Sequence, residues 1–198
     1  MNANSIRKWI SERQGLTLVE MMISLAIFGV VMGVVFGFMN GTRDNYDDTR
    51  AKVRYQQAVR ATVSLMTNEI RSTGCDPTNA GFDRFAVADD NSFRCRADLN
   101  GDGDITDNNP DEDILYTFDV GAGELSRDNN DGTGPIVILR NLTNFSFQYR
   151  DVDGNILGGT PLNALDRASV RYVEILINGE TQDGQTIDYR TSAMVRNG

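Results

Sequence analysis

Gly15-Leu16-Thr17-Leu18-Val19-Glu20 opens the stretch that decides the fold, and Met21 to Met39 completes it. Between Met21 and Met39 the only polar side chain is Ser24. Leu16 to Met39 is 24 residues, roughly 36 Å of helix at a rise of 1.5 Å per residue, enough to span a bilayer core. Before it stands MNANSIRKWISERQG, short, hydrophilic and basic. An ordinary secretory signal is cut after its apolar run, at a small-x-small site. Phe38-Met39-Asn40-Gly41-Thr42 does not fit such a site, so the local feature is the hexapeptide in front of the run.

That hexapeptide, with the apolar stretch behind it, resembles the class III signal of type IV prepilins and pseudopilins. The resemblance implies cutting by a prepilin peptidase after Gly15 and N-methylation of the new first residue, Leu16. Most members carry phenylalanine where this chain has Leu16. A glycine on the cut side suits the chemistry, because without a side chain the backbone is open to close approach.

Glu20 is the odd residue. A carboxylate costs about 2.5–3.5 kcal/mol at mid-bilayer and less near an interface, so its presence needs a partner. The resemblance supplies one, the free amine of Leu16 in a neighbouring subunit. The other reading is a Glu at a helix start, favoured by the helix dipole. Gly29, Gly33 and Gly37 form a small-xxx-small series that lets helices approach closely; glycine is also simply common in membrane helices. Arg7, Lys8 and Arg13 keep the leader cytoplasmic by the positive-inside rule, which puts the C-terminal bulk in the periplasm.

The polar remainder continues as a helix. Tyr55, Val59, Val63, Met66 and Ile70 recur at spacings of three and four, one apolar stripe. A single helix is expected from about Leu16 to about Ser72, with Gly41 as a site for a local bend. Thr73-Gly74-Cys75-Asp76-Pro77 stops it, Gly74 as the C-terminal cap and Pro77 just beyond. The expected division is a leader at 1–15, a transmembrane or filament-core helix at 16–40, an amphipathic helix at 41–74 and a β-rich domain at 75–198. Leu65-Met66-Thr67-Asn68-Glu69-Ile70-Arg71-Ser72-Thr73-Gly74-Cys75-Asp76-Pro77 resembles a stretch of PilW-type minor pilins, with the J-type minor pseudopilin of type II secretion as nearest cousin.

From Ile114 the pattern shifts to short strands rich in β-branched and aromatic residues: Ile114–Val120, Ile136–Arg140, Leu142–Asp151, Val170–Asn178 and Thr186–Val195. Asp153-Gly154-Asn155 and Asn178-Gly179 read as hairpin turns, and Asp128-Asn129-Asn130-Asp131-Gly132 as a hairpin tip. The fold class is therefore α+β, a pilin-like long helix packed on an antiparallel sheet.

Asp98-Leu99-Asn100-Gly101-Asp102-Gly103-Asp104-Ile105-Thr106 matches the first nine positions of an EF-hand-type calcium loop. Asp98, Asn100 and Asp102 take positions 1, 3 and 5, the glycine required at 6 is Gly103, Asp104 offers its carbonyl at 7 and Thr106 stands at 9. The match then fails: position 12 is Asn109, and Pro110 follows. The last ligand is left to Asp111, Glu112 or Asp113, as in the shortened calcium loops of secreted bacterial proteins. The alternative is a solvated Asx-turn loop without metal.

The chain has two cysteines, Cys75 and Cys95. In an exported protein the expected state is a bridge, worth roughly 3 kcal/mol for a loop of about twenty residues; the alternative is two free buried thiols.

Net charge is −9 over 198 residues, and there is no histidine. Residues 1–15 carry a net +2, so their removal leaves −11. An acidic surface argues against nucleic acid, which demands cations. The missing histidine removes the commonest general base, and no Ser/His/Asp set or phosphate loop supports an enzyme. The resemblance implies a minor pilin that primes type IV pilus assembly or sits at an adhesive tip, with the minor pseudopilin of a type II secretion system as the alternative. It also implies storage in the inner membrane and, as partners, prepilin peptidase and other pilin subunits.

Overall fold

A long helix free of proline, closed at both ends by its own sequence, organises the chain. In the computed structural model, which describes residues 15–181 and 184–196, α1 runs Leu18–Ser72. The leader residues Arg7, Lys8 and Arg13 lie outside the described residues. At the C-terminal end Thr73 N–H still bonds to the Glu69 carbonyl at 3.1 Å. Gly74 then takes φ +77°, the left-handed conformation that the cap requires, and donates its N–H to the Arg96 carbonyl at 2.9 Å.

The chain divides into two units, Met1–Thr49 and Arg50–Gly198. In the first, the described side chains from 15 to 43 are all exposed. This apolar part of α1 is long and apolar enough to cross a membrane.

The second unit holds two antiparallel sheets where the sequence led to one. The first is a meander of β1 (Phe85–Ala88), β2 (Ser92–Arg96), β3 (Asp113–Asp119), β4 (Glu124–Asp128) and β5 (Ile136–Leu139), each strand paired with the next. The second comprises β6 (Leu142–Arg150), β7 (Tyr172–Glu180) and β8 (Thr186–Met194). A short helix, α2 (Ala164–Ser169), precedes β7, with the Asn163 side chain accepting the N–H groups of Leu165 and Asp166.

The α1 stripe does what its spacing predicts. Val59, Val63, Met66 and Ile70 are buried in one cluster with residues of both sheets, and Tyr55 packs at its margin. Phe93 of the first sheet packs against its neighbour Phe85 at 5.4 Å and meets Phe147 of the second sheet at 5.2 Å, ring centre to ring centre. Each fully buried side chain of this size contributes about 1.5–3 kcal/mol. Tyr149 OH donates to the Asp89 carbonyl at 2.7 Å, fixing the β1–β2 turn to β6. Glu174 on β7 accepts from Arg190 on β8 at 2.6 Å and Arg150 on β6 at 3.2 Å, lacing three strands.

One turn assignment is corrected. Asn178-Gly179 lies inside β7, with Asn178 opposite Asp188 and Gly179 opposite Ile187. Glycine serves a close approach there instead: a Cβ would collide with the Tyr55 hydroxyl and stand 3.1 Å from the Asn141 carbonyl. Asp153-Gly154-Asn155 does turn: Asp151 N–H bonds to the Asn155 carbonyl at 3.0 Å, and Gly154 takes φ +83°. Asp128 ends β4, and residues 129–132 begin the connection to β5.

Candidate functional site

In the N-terminal unit, Gly15, Leu16 and Thr17 precede α1 as non-helical, exposed backbone. Thr17 occupies the cap and Glu20 the third helical position. Thr17 N–H and Oγ1 both donate to Glu20 Oε2 at 2.9 Å, and Glu20 N–H donates back to Thr17 Oγ1 at 3.3 Å. This is a reciprocal capping box. The Thr-x-x-Glu spacing of Thr17 and Glu20 is the local sequence signal for it. The carboxylate therefore already has an intrachain partner, and the cut-side residues stand clear of secondary structure.

Residues 10–36 match the family model of the prokaryotic N-terminal methylation motif. The match supports a type IV pilin-like protein, of pilin or pseudopilin type. Together with the apolar helix it supports a single-pass membrane anchor. The motif marks a structural rather than an enzymatic family. No curated protein matches the chain.

The second candidate lies in the β-rich unit, on the loop from β2 to β3. Asp98 is fully buried and points inward, accepting N–H groups from Gly101 at 2.6 Å and Gly103 at 3.0 Å and the Thr78 hydroxyl at 3.3 Å. Asn100 Oδ1 accepts Asp102 N–H, Asp102 Oδ1 accepts Asp104 N–H, and Asp104 Oδ1 accepts Thr106 N–H and hydroxyl. The loop is thus a chain of Asx turns wound about its acidic side chains. Of the residues expected to hold a metal, the structure brings together Asp102 and Asp104 and adds Asp107; one carboxylate oxygen of each lies within 4.8 Å of the others. Asp98 and Thr106 stand outside that triad. Spacing pointed away from Asp107, because the template has no side-chain ligand at position 10. Partial desolvation, and then the Asp102 carboxylate beside it, raise the Asp107 carboxyl. The Asp104 N–H, followed by the Asn100 amide, holds Asp102 below the usual carboxylate range.

The structure also separates the three residues that could close the loop. Asp111 accepts from Arg127 at 2.8 Å and Asn129 at 3.0 Å. Asp113 takes Arg94 at 2.7 Å and Arg96 at 3.3 Å. Glu112 is 1% exposed, and its Oε1 accepts only loop amides, Leu99 N–H at 2.7 Å and Asn100 N–H at 3.1 Å.

Cys75 and Cys95 are unpaired in the structure, where a bridge was expected. The pleat of β2 turns Cys95 into the core beside Phe93, where its thiol meets the Thr73 side chain. Cys75 is half-buried in a recess with Asn68, Arg71, Ser72 and Arg196. Burial, then the Glu69 carboxylate, pushes the Cys95 thiol up to about 12. Thiolate is the reactive form, so iodoacetamide at pH 8 is expected to label Cys75 at least about 100-fold faster than Cys95 in the native protein, with the two rates converging in denaturant. Peptide mass mapping reads this out. Failure of both thiols to react in denaturant without prior reduction would restore the bridge.

Proposed function

We propose that this chain is a minor pilin of a type IV pilus, cut after Gly15, methylated at Leu16, and built into a filament through Glu20. The observation that carries the reading is the methylation motif, with Gly15, Leu16 and Glu20 at the positions the cut and the docking contact need. Before assembly the apolar part of α1 holds the chain in the inner membrane with the β-rich unit in the periplasm. Removing the leader leaves an amine on Leu16 and a carboxylate on Glu20, opposite charges that neutralise each other between neighbouring subunits in an apolar core.

The resemblance over residues 65–77 supports the minor-pilin reading, and the residues behind it have folding roles. Met66 and Ile70 are buried, Glu69 meets Arg127 and Tyr116, and Gly74 caps the helix. Asp76 accepts the N–H groups of Ala80 and Gly81 at 2.9 Å, tying the turn after the helix. The segment therefore supports a shared domain fold, and a priming or tip role rests on the resemblance itself.

Intact-mass analysis of protein recovered from cells expressing a prepilin peptidase is expected to show a chain beginning at methylated Leu16. Gly15→Val is expected to leave the leader attached in nearly all molecules, because a side chain then stands where close backbone approach is needed. Normal processing of that variant would sink the assigned cut. Co-purification distinguishes the filament: minor pilins in the bound fraction support a pilus, and secretion pseudopilins support a type II pseudopilus.

A further inference from the structure

We propose that the loop from Asp98 to Glu112 is a calcium site, with Asp102, Asp104 and Asp107 giving carboxylate oxygens and Glu112 closing it from the protein interior. The inference is independent of which filament the chain enters.

The first observation is the triad. Calcium holds oxygen ligands at about 2.3–2.6 Å, so two ligands on opposite sides of the ion stand about 5 Å apart. Carboxylate oxygens of Asp102, Asp104 and Asp107 lie within 4.8 Å of one another, the spacing of one shell. The Asn100 amide nitrogen sits against two of them, 3.0 Å from Asp102 Oδ2 and 2.6 Å from Asp107 Oδ2. A donor between two carboxylates marks the position where positive charge is wanted.

The second observation is independent of that cluster. Glu112 Oε2 is buried and has no hydrogen-bond partner. An orphaned buried carboxylate oxygen is rare and costly, and an ion is one of the things that relieves it. The head of Glu112 is held inside the loop by the amides of Leu99 and Asn100. Its own N–H bonds to the Asp107 carbonyl at 3.1 Å, so Glu112 is tied to both ends of the segment that carries the triad. Among the described residues, no ion pair reaches Asp98, Asp102, Asp104, Asp107 or Glu112, whereas Asp111 and Asp113 are each paired with arginine. Of the seven acids from Asp98 to Asp113, these five have no ion pair among the described residues, and the two that flank Glu112 are neutralised elsewhere.

The chemistry selects the ion. The ligand atoms are all oxygen, with no histidine in the chain and no thiol in the loop, which suits a hard cation. Magnesium asks for near-ideal octahedral geometry at shorter range, and a loop that supplies carboxylates in succession along its backbone suits the larger, less demanding ion. Asp98 acts as a positioning residue, because its carboxylate gathers the Gly101 and Gly103 amides that fold the loop.

The test uses the full chain in detergent, stripped with a chelator and titrated calorimetrically with calcium chloride. The expected result is saturation at one calcium per chain, a thermal midpoint that rises with calcium, and little response to magnesium at equal concentration. Glu112→Gln keeps the volume of the side chain and is expected to weaken binding about 10- to 100-fold, as loss of a supporting or ligating group does. Asp104→Asn is exposed, so it reports on binding without threatening the fold. Absence of calcium heat and of any midpoint shift at millimolar calcium would overturn the proposal. So would wild-type affinity in both variants, or an equal response to magnesium.

Discussion

Replacing Arg127 with methionine is expected to destabilise the β-rich unit by about 3–5 kcal/mol, the usual cost of stripping one partner from a buried ion pair. Arg127 on β4 sends Nε and Nη2 to Glu69 Oε1 at 3.1 and 2.8 Å, and Nη2 also reaches Asp111 Oδ2 at 2.8 Å. Its side chain is 16% exposed and that of Glu69 14%. Tyr116 OH, on the fully buried face of β3, donates to the other Glu69 oxygen. Without the guanidinium, Glu69 keeps its tyrosine but loses its only described cation. A loss of this size lowers the melting midpoint by roughly 10 °C in a unit of this length. Thermal unfolding of the full chain in detergent, followed by circular dichroism, measures it. Glu69→Met combined with Arg127→Met is expected to recover part of the loss, since the Glu69 charge goes with its partner, while Asp111 keeps only Asn129 and the buried Tyr116 hydroxyl loses its acceptor. A single Arg127→Met change that costs under about 0.5 kcal/mol would show that solvent already screens the pair.

That network joins α1 to β3, β4 and the end of the acidic loop, and none of it is visible in local sequence. Glu69 sits between buried Met66 and Ile70 in a stripe that reads simply as amphipathic, and Arg127 lies 58 residues away. Periodicity reports which face of an element is apolar; it is silent on which distant charge a polar neighbour meets. The helix itself was legible, because the stripe, the absence of proline and the Gly74 stop all agreed. So were β3, β5, β6, β7 and β8, each within two residues at either end.

Three strands and one helix were not read from sequence. β1 is four residues long, and its register shifts between Phe85 and Val87. β2 alternates correctly, with Phe93 and Cys95 buried, but its charged Arg94 and Arg96 look like loop until Asp113 on β3 is seen to pair with both. β4 buries only Leu125 and exists through its pairing with β3 and β5 on either side. Such strands are specified by neighbours rather than by propensity. α2, six residues with none buried, had only its Asn163 cap as a signal. The acidic loop was legible as far as its Asx spacing reaches. Beyond Thr106, a turn that bonds Glu112 N–H to the Asp107 carbonyl brings acids together out of template order.

Glu20→Gln is expected to abolish filament incorporation, and to do so while leaving the start of α1 intact. The capping box explains why this substitution is more informative than alanine. Glu20 Oε2 takes both Thr17 donors, so Glu20→Ala removes a cap and a charge together. A lost cap alone costs about 0.5–2 kcal/mol, and a helix that frays at its first turn could fail to assemble for that reason. Glutamine at the third helical position still reaches back to the cap N–H. It keeps the local bonds and deletes only the charge that would face the Leu16 amine of a neighbour. Thr17→Ala is the converse: it removes the hydroxyl and leaves the carboxylate. If charge neutralisation between subunits drives docking, Glu20→Gln and Glu20→Ala should both fall at least about tenfold in sheared filaments, equivalent to 1.4 kcal/mol or more per contact, while Thr17→Ala stays within about twofold. Immunoblots of the sheared and membrane fractions separate assembly from expression. Should Glu20→Gln assemble normally while Thr17→Ala fails, the carboxylate would be a cap and nothing more, and the docking role assigned to it would be lost.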